Sequence, residues 1–317
     1  MRLLLVGRFS PTSHVDDTVL AVADAARRLG HDVVIADTAC FVRGPVSFSP
    51  HSGVWHVGDV TVRPDDVDVA LLGRLPSAFA RTSPPGTVLD VDEHDRRQKQ
   101  QAARHQLAWS MVRDLEARGV PVLSSPTRAR PFDDKPLQLA ALARAGVPIP
   151  HTIVDDVARV HDDLDVLEQV SKPIVGGVVE FTSTPGVLGQ PRLRQHRLRG
   201  RQLRLAVVGG DIVAAGAIDV DGDWRTSALP FSPVALTPAL AALATTVTTT
   251  CHFDVCAIDL VDDRDLGLCV LEANRTPALL DLARDVDVDI AAAVVALLQR
   301  SVDTARKQAL AGRTADC

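Results

Sequence analysis

Residues 255–274 read VCAIDLVDDRDLGLCVLEAN, two apolar runs on either side of a charged turn. Val255 to Val261 and Leu268 to Glu272 have the length and composition of strands, and the turn Asp262-Asp263-Arg264-Asp265 joins them as an antiparallel pair. Asp259 falls inside the first run, where a carboxylate is costly to bury without a partner. Pairing about the turn sets Asp259 opposite Leu271 or Glu272, while Glu272 and Asn274, two apart, point to the same side. Two carboxylates and an amide oxygen at the ends of adjacent strands make a donor set for a hard divalent cation such as magnesium. Taken singly, each has a plainer reading, with Asp259 ending a strand and Asn274 capping a turn.

The segments just upstream extend this pattern. Leu203 to Val208 and Ile212 to Ile218 read as strands joined into an antiparallel hairpin by Gly209-Gly210-Asp211. In Leu203-Arg204-Leu205 the charge sits between apolar neighbours, so one side of the strand faces a core and the other a polar site. Arg204, and Arg225 in Asp223-Trp224-Arg225, each offer a fixed fork of donors suited to phosphate or carboxylate. An ordinary exposed strand face is the competing reading. Thr237-Pro238 supplies an N-cap residue and a first-turn proline for a helix to about Cys251. Lys172 closes an apolar strand, Val170 to Val175, and is followed by Gly176-Gly177. Glycines let backbone N–H groups approach an anion, so this lysine suits phosphate oxygens, against the plainer reading of a solvated strand end.

The N-terminal part follows a different logic. Leu3 to Val6 reads as a buried strand, Asp17 to Leu29 as a helix stopped by Gly30, and Val33 to Ala36 as a second strand, which together form a β-α-β unit of a parallel sheet. The intervening Gly7-Arg8-Phe9-Ser10-Pro11 is no glycine fingerprint, which argues against a dinucleotide site. Residues 41–66 suit a hairpin excursion. Val67 to Leu72, Val88 to Val91 and Val120 to Leu123 are further strand candidates, and Arg96 to Arg118 is a long polar helix. Next come a helix Pro136 to Ala145 and a strand from His151, and the chain finishes with a helix from about Asp289 to Gln308 and a polar tail. The expected domains are 1–125 and 126–300, the latter in two parts, 126–194 and 195–300, followed by a polar tail 301–317.

The bulk composition narrows the function classes. With 46% hydrophobic residues in 317, the chain can build two cores. Its net charge of -6 and its scattered basic residues leave no electrostatic footprint for nucleic acid. The opening apolar stretch is too short for a signal segment and no long apolar run occurs, so a cytoplasmic protein away from membranes is expected. Cys40, Cys251, Cys256, Cys269 and Cys317 form no CxxC pair, which suits neither a disulfide framework nor structural zinc. Cys251, Cys256 and Cys269 read as small core residues rather than nucleophiles, and His252 as a helix-end residue rather than a base.

Several pieces occur in a set order: Asp134-Lys135 with Ala145-Gly146-Val147-Pro148-Ile149-Pro150-His151-Thr152, then Lys172-Pro173, then QHRLRGRQLR over residues 195–204. VVGGDIVAA over residues 207–215 follows, and Asp259 with LEANRTP over residues 271–277 completes the set. Over residues 120–300 this order resembles the ATP-grasp superfamily, and within it the RimK-like branch. Asp223-Trp224-Arg225 is similar to both RimK and the peptide macrocyclases that make graspetides. The resemblance implies an α/β (α+β) chain with an ATP-grasp fold and an N-terminal parallel-sheet pre-ATP-grasp domain.

It also implies an ADP-forming ligase, dependent on ATP and on Mg2+ or Mn2+, that activates a carboxylate as an acyl-phosphate for capture by an amine. Lys135 and Lys172 would face the nucleotide, with Lys172 on its phosphates. Gln195, His196, Arg197 and Leu198 would form the adenine-side linker, and Gln202 stands where an acidic residue commonly meets the ribose. Arg204 and Arg225 would bind the transferred phosphate, and Asp259, Glu272 and Asn274 would hold the metal. The partners implied are small-molecule or peptide carboxylates and amines, with a homodimer left open. Three departures, at His196, at Gln202 and in the glycine loop after Lys172, motivate a nucleotide-binding pseudoenzyme as a rival to the ligase. A graspetide-type macrocyclase and a small-metabolite ligase also compete with it.

Overall fold

The computed structural model describes residues 1–7, 17–73, 75, 91–155, 169–174, 180–182, 192–220 and 229–315. Arg225 and Gly176-Gly177, singled out above, and most of the expected strand Val88 to Val91 lie outside these residues; Val91 itself opens a helix. The chain divides into two compact units, one of residues 1–127 with 291–317 and the other of residues 128–290.

The first unit begins with β1 (Arg2–Gly7), α1 (Asp17–Arg28) and β2 (Asp32–Asp37), and β1 and β2 pair in parallel as the β-α-β pattern requires. Then come α2 (Cys40–Arg43), β3 (Val46–Ser49), β4 (Val54–Val57), β5 (Val60–Val62), β6 (Val69–Leu72), α3 (Val91–Ala117), β7 (Val122–Leu123) and α4 (Pro126–Ala129). A parallel sheet runs β2-β1-β6-β7. Leu3, Leu4, Leu5 and Val6 are all inaccessible to solvent, as expected of an inner strand covered on both faces. The excursion over residues 41–66 is an antiparallel meander, β3-β4-β5, preceded by the short α2. Trp55 in β4 is buried, stacks on Phe48 at 4.1 Å, and satisfies its indole N–H on Asp114 Oδ2 of α3 at 2.9 Å.

The second unit contains α5 (Lys135–Arg144), β8 (Thr152–Asp155), β9 (Gln169–Pro173), β10 (Glu180–Thr182), β11 (Arg192–His196), β12 (Gly200–Val208), β13 (Asp211–Ile218), β14 (Ser232–Pro233), α6 (Pro238–Cys251), β15 (Val255–Asp263), β16 (Gly267–Asn274) and α7 (Leu280–Asp285). Thr237 caps α6 as its sequence predicts, its hydroxyl accepting from Leu240 N at 3.2 Å, and His252 closes the helix in the left-handed conformation at φ 55. Two antiparallel sheets result, β10-β9-β11-β8 and β14-β13-β12-β15-β16.

The five-stranded sheet separates a core from a polar face. Leu203, Leu205, Val207, Ile258, Leu260 and Val270 pack in one cluster with residues of α5 and α6. Arg204, Asp259, Glu272 and Asn274 alternate with these and so lie on the other face. A bulge decides this parity. Asp259 pairs with Glu272 but Leu260 pairs with Val270, so Leu271 is the extra residue. Without it, Glu272 and Asn274 would share the face of Val270 and point into the core.

The chain ends in α8 (Ile290–Ala315). It continues through most of residues 301–317, expected as a polar tail, and groups with residues 1–127 rather than standing apart. The physical reason is that its second half, from Ser301 on, is built largely from good helix formers such as Ala, Arg, Lys and Gln. Arg306 in this half donates to Asp68 Oδ1 at 2.9 Å.

Candidate active site

Four charged or amide side chains meet on the polar face of the five-stranded sheet. Arg204 lies opposite Asp259 in register, and its Nη1 donates to Asp259 Oδ1 at 3.1 Å and Oδ2 at 3.4 Å, while Nη2 donates to the carbonyl of Ala278 at 3.2 Å. Both residues are buried, so each charge needs the other. Asn274 bridges the two carboxylates: its Nδ2 donates to Glu272 Oε1 at 3.1 Å and, over a longer 3.4 Å, to Asp259 Oδ2. On the far side of Glu272, Lys135 Nζ lies 3.1 Å from Oε2. Burial would raise the pKa of Glu272, but Lys135, the Asn274 hydrogen bond and the more distant Lys172 outweigh it and hold the carboxyl at about 2. Lys172, on β9 of the other sheet, lies near enough to add to this lowering.

Lys135, Lys172, Arg204, Asp259, Glu272 and Asn274 are thus gathered together. The expected linker residues lie on β11, on β12 and in the connection between them. Gln195 is buried in β11 and donates to Thr152 Oγ1 at 3.0 Å; the His196 N–H donates to the His151 carbonyl at 2.9 Å. Arg197 and Leu198 form the half-buried connection into β12, and Gln202 donates to the carbonyl of Val220 at 3.1 Å. This connection is anchored by Asp263, whose Oδ2 accepts from Arg199 N at 2.6 Å and whose Oδ1 accepts from Asp265 N and Leu266 N, both at 3.0 Å. Next to it, a Cβ on Gly200 would run into the carbonyl oxygen of Asp262, so only glycine allows β12 and β15 to approach here.

The donor set suits a hard cation. Two carboxylates and an amide, all oxygen-bearing and linked through Asn274, match the ligand preference of magnesium better than that of zinc. Among the described residues, no group of three or more His, Cys, Asp or Glu side chains is placed to hold a metal. Three of the described thiols are poor nucleophiles. Cys251, Cys256 and Cys269 are buried, and burial pushes Cys251 up to about 12 and Cys256 and Cys269 upward as well.

Two residues that matter to this geometry have no role assigned from sequence, Gln138 and, within the LEANRTP segment, Arg275. Gln138 of α5 bonds both backbone groups of Ala273, between Glu272 and Asn274, and Arg275 pairs with Asp133 through two bonds of 3.0 and 2.7 Å. The signal available was position: Arg275 follows Asn274 directly, and Gln138 stands one helical turn after Lys135.

A pair of antiparallel sheets, one carrying a lysine and the other an acid-and-amide cluster, following a parallel-sheet unit in the chain, defines an ATP-grasp ligase. The chain belongs to the RimK-like ATP-grasp family, whose members use ATP and magnesium. The RimK-like ATP-grasp domain is matched over residues 193–298. A probable alpha-L-glutamate ligase of Thioalkalivibrio sulfidiphilus is 31% identical over 229 residues, which is 63% of this chain and 74% of that protein. A ribosomal protein bS6–L-glutamate ligase of Escherichia coli is 27% identical over 220 residues, 61% of this chain and 72% of that one.

Among solved structures, the ATP-grasp ligase PsnB, complexed with precursor peptide PsnA2 and AMPPNP, superposes with a TM-score of 0.74 at 19% identity, covering 95% of this chain and 97% of that one. PsnB has also been solved with a minimal precursor, Mg and ADP. The macrocyclase MdnC of Microcystis aeruginosa, bound with precursor peptide MdnA, gives a TM-score of 0.73 at 18% identity, over 95% of this chain and 100% of that one. At such identities the likeness establishes the fold. Among the described residues, no helix is long and apolar enough to cross a membrane.

Proposed function

We propose that this chain phosphorylates a carboxylate of a peptide with ATP and passes the acyl group to an amine, with Asp259, Glu272 and Asn274 as the cation ligands. The observation that carries this reading is the bridging of both carboxylates by Asn274 on the polar face of the sheet, flanked by Arg204 and Lys135. Magnesium held there would neutralise charge on the triphosphate oxygens; manganese, with the same ligand preference, would substitute for it. The protein's own part is positioning and electrostatics. Arg204 pairs with Asp259 and orients it. Lys135 does the same for Glu272, and Lys172 adds positive charge where phosphate oxygens would lie. Gln195, His196, Arg197, Leu198 and Gln202 are the proposed base and ribose side of the nucleotide pocket, and Arg225 a further phosphate ligand.

A peptide as carboxylate donor is supported by the peptide complexes of PsnB and MdnC, and glutamate as the amine by the names of the two curated relatives. Condensation within one peptide, as in a macrocyclase, is the second reading, favoured by fold likeness that spans the whole chain rather than part of it. Mass spectrometry of the product separates them: glutamate transfer adds a glutamyl residue, whereas ring closure removes one water. A cytoplasmic location, where ATP is supplied, and a homodimer complete the proposal.

The test is ADP release with a panel of peptides and free amino acids. Glu272→Ala is expected to abolish it while leaving the circular dichroism spectrum unchanged. Undiminished turnover in that variant would remove the cation-site assignment, and a wild-type protein that binds ATP without releasing ADP on any substrate would favour the pseudoenzyme.

A further inference from the structure

We propose that Gln138 is a positioning residue for the cation site, holding Glu272 and Asn274 by gripping the backbone of the residue between them. This rests on the reading of Asp259, Glu272 and Asn274 as cation ligands. β16 is the last strand of its sheet, so the backbone groups on its outer edge have no strand partner. At Ala273 the Gln138 side chain supplies what a strand would: Oε1 accepts from Ala273 N at 2.9 Å and Nε2 donates to Ala273 O at 2.8 Å. A primary amide carries a donor and an acceptor side by side and so does both at once. The same Nε2 donates to Phe132 O at 2.7 Å, and Gln138 is 3% exposed, so the amide is fixed from three sides.

The location gives this grip its consequence. Leu271 bulges out of the ladder immediately before Glu272, leaving this stretch the least regular part of the strand. Glu272 and Asn274 leave the backbone on the face opposite Ala273, so fixing the Ala273 peptide groups fixes the directions in which both side chains emerge. Two further links bind the same short segments: Lys135 to Glu272 at 3.1 Å, and Arg275 to Asp133 at 3.0 and 2.7 Å. The start of α5 and the end of β16 therefore form one block, with Gln138 as its uncharged centre. Groups that orient metal ligands are commonly worth ~10- to 100-fold in metal affinity.

The experiment titrates Mn2+ in the presence of a non-hydrolysable ATP analogue, with free Mn2+ read by electron paramagnetic resonance, for wild type, Gln138→Met, Gln138→Glu and Glu272→Gln. Gln138→Met keeps the size of the side chain but removes every hydrogen bond. It is expected to bind Mn2+ ~10- to 100-fold more weakly and to raise the metal concentration for half-maximal ADP release in proportion, while the KM for ATP at saturating metal stays near wild type. Gln138→Glu keeps an acceptor for Ala273 N and is expected to fall between; if the Met variant does not fold, the Glu variant alone carries the comparison. In the wild-type protein the Ala273 amide should exchange with solvent as slowly as that of Val270, which the Pro148 carbonyl holds at 2.8 Å.

A lower melting temperature with unchanged metal dependence, or rapid exchange at Ala273, would overturn the inference. If Glu272→Gln weakens Mn2+ binding and neither Gln138 variant does, the cation site stands and the positioning role alone is lost. If Glu272→Gln has no effect, the site reading itself fails.

Discussion

Glu272 shows how the balance of charges sets the state of the site. Its burial favours the protonated form, and Lys135 is the strongest of the groups that oppose this. Lys135→Met leaves the burial in place and removes that cation, so the Glu272 carboxyl is expected to titrate ~1–3 units higher, measurable by carbon NMR of the labelled side chain. The sign follows from linkage. A carboxyl whose folded pKa lies at about 2, below its unfolded value, stabilises the fold above the ordinary carboxylate range and loses that contribution as the pH falls towards 2. In Lys135→Met the folded pKa moves towards the unfolded one, so this contribution shrinks, and metal binding should weaken at a higher pH than in wild type. A titration curve identical to wild type would show that Lys135 does not hold Glu272 ionised. At this scale Asp259, Glu272, Asn274 and Arg204 were legible, because charged residues inside apolar strands announce a polar face. Gln138 was not, because a glutamine in a helix carries no pattern until the strand edge it serves is known.

Among the elements, the strand pair β15-β16 and the hairpin β12-β13 were readable from their apolar runs and glycine turn. The register was not. The sequence left Asp259 opposite Leu271 or Glu272, and the bulge at Leu271 that settles it is a single unpaired residue with no compositional mark. β11 was missed for a related reason. Arg192-Leu193-Arg194-Gln195-His196 lacks an apolar alternation, yet Arg192 and Arg194 are buried, donating to Ser171 Oγ at 2.7 Å and Gln169 Oε1 at 3.2 Å.

The β15–β16 turn carries its own prediction. Asp263 accepts three backbone N–H bonds; burial would raise its pKa, but these bonds and nearby His196 lower it. Asp263→Asn is expected to cost ~1–3 kcal/mol at neutral pH, read by urea unfolding. The depressed pKa makes that contribution full above the ordinary carboxylate range and progressively lost on acidification, so the two proteins should converge in stability at low pH. A constant gap across the acid range would mean that the charge of Asp263 does not matter.

At the scale of the molecule, the return of the chain to the first unit was not foreseen. Helix α8 groups with residues 1–127, buries Val294, Val295, Leu298 and Val302, and pairs Arg306 with Asp68. Asp68 is itself held ionised, its burial outweighed by the Arg2 backbone N–H and by Arg306. Truncation after Ile290 is therefore expected to destabilise the first unit, with faster proteolysis within residues 1–127 than in the intact chain; equal cleavage rates would show that α8 is dispensable there.

A ligand that binds only the native state of the second unit must stabilise it, by ~2.7 kcal/mol at about a hundred times its Kd. The most direct measurement is the melting temperature of wild type and Asn274→Ala with ATP, with magnesium and with both. A clear rise is expected for wild type only when both are present, and little or none for Asn274→Ala. A rise that ignores magnesium, or one that Asn274→Ala retains in full, would contradict the cation-site assignment.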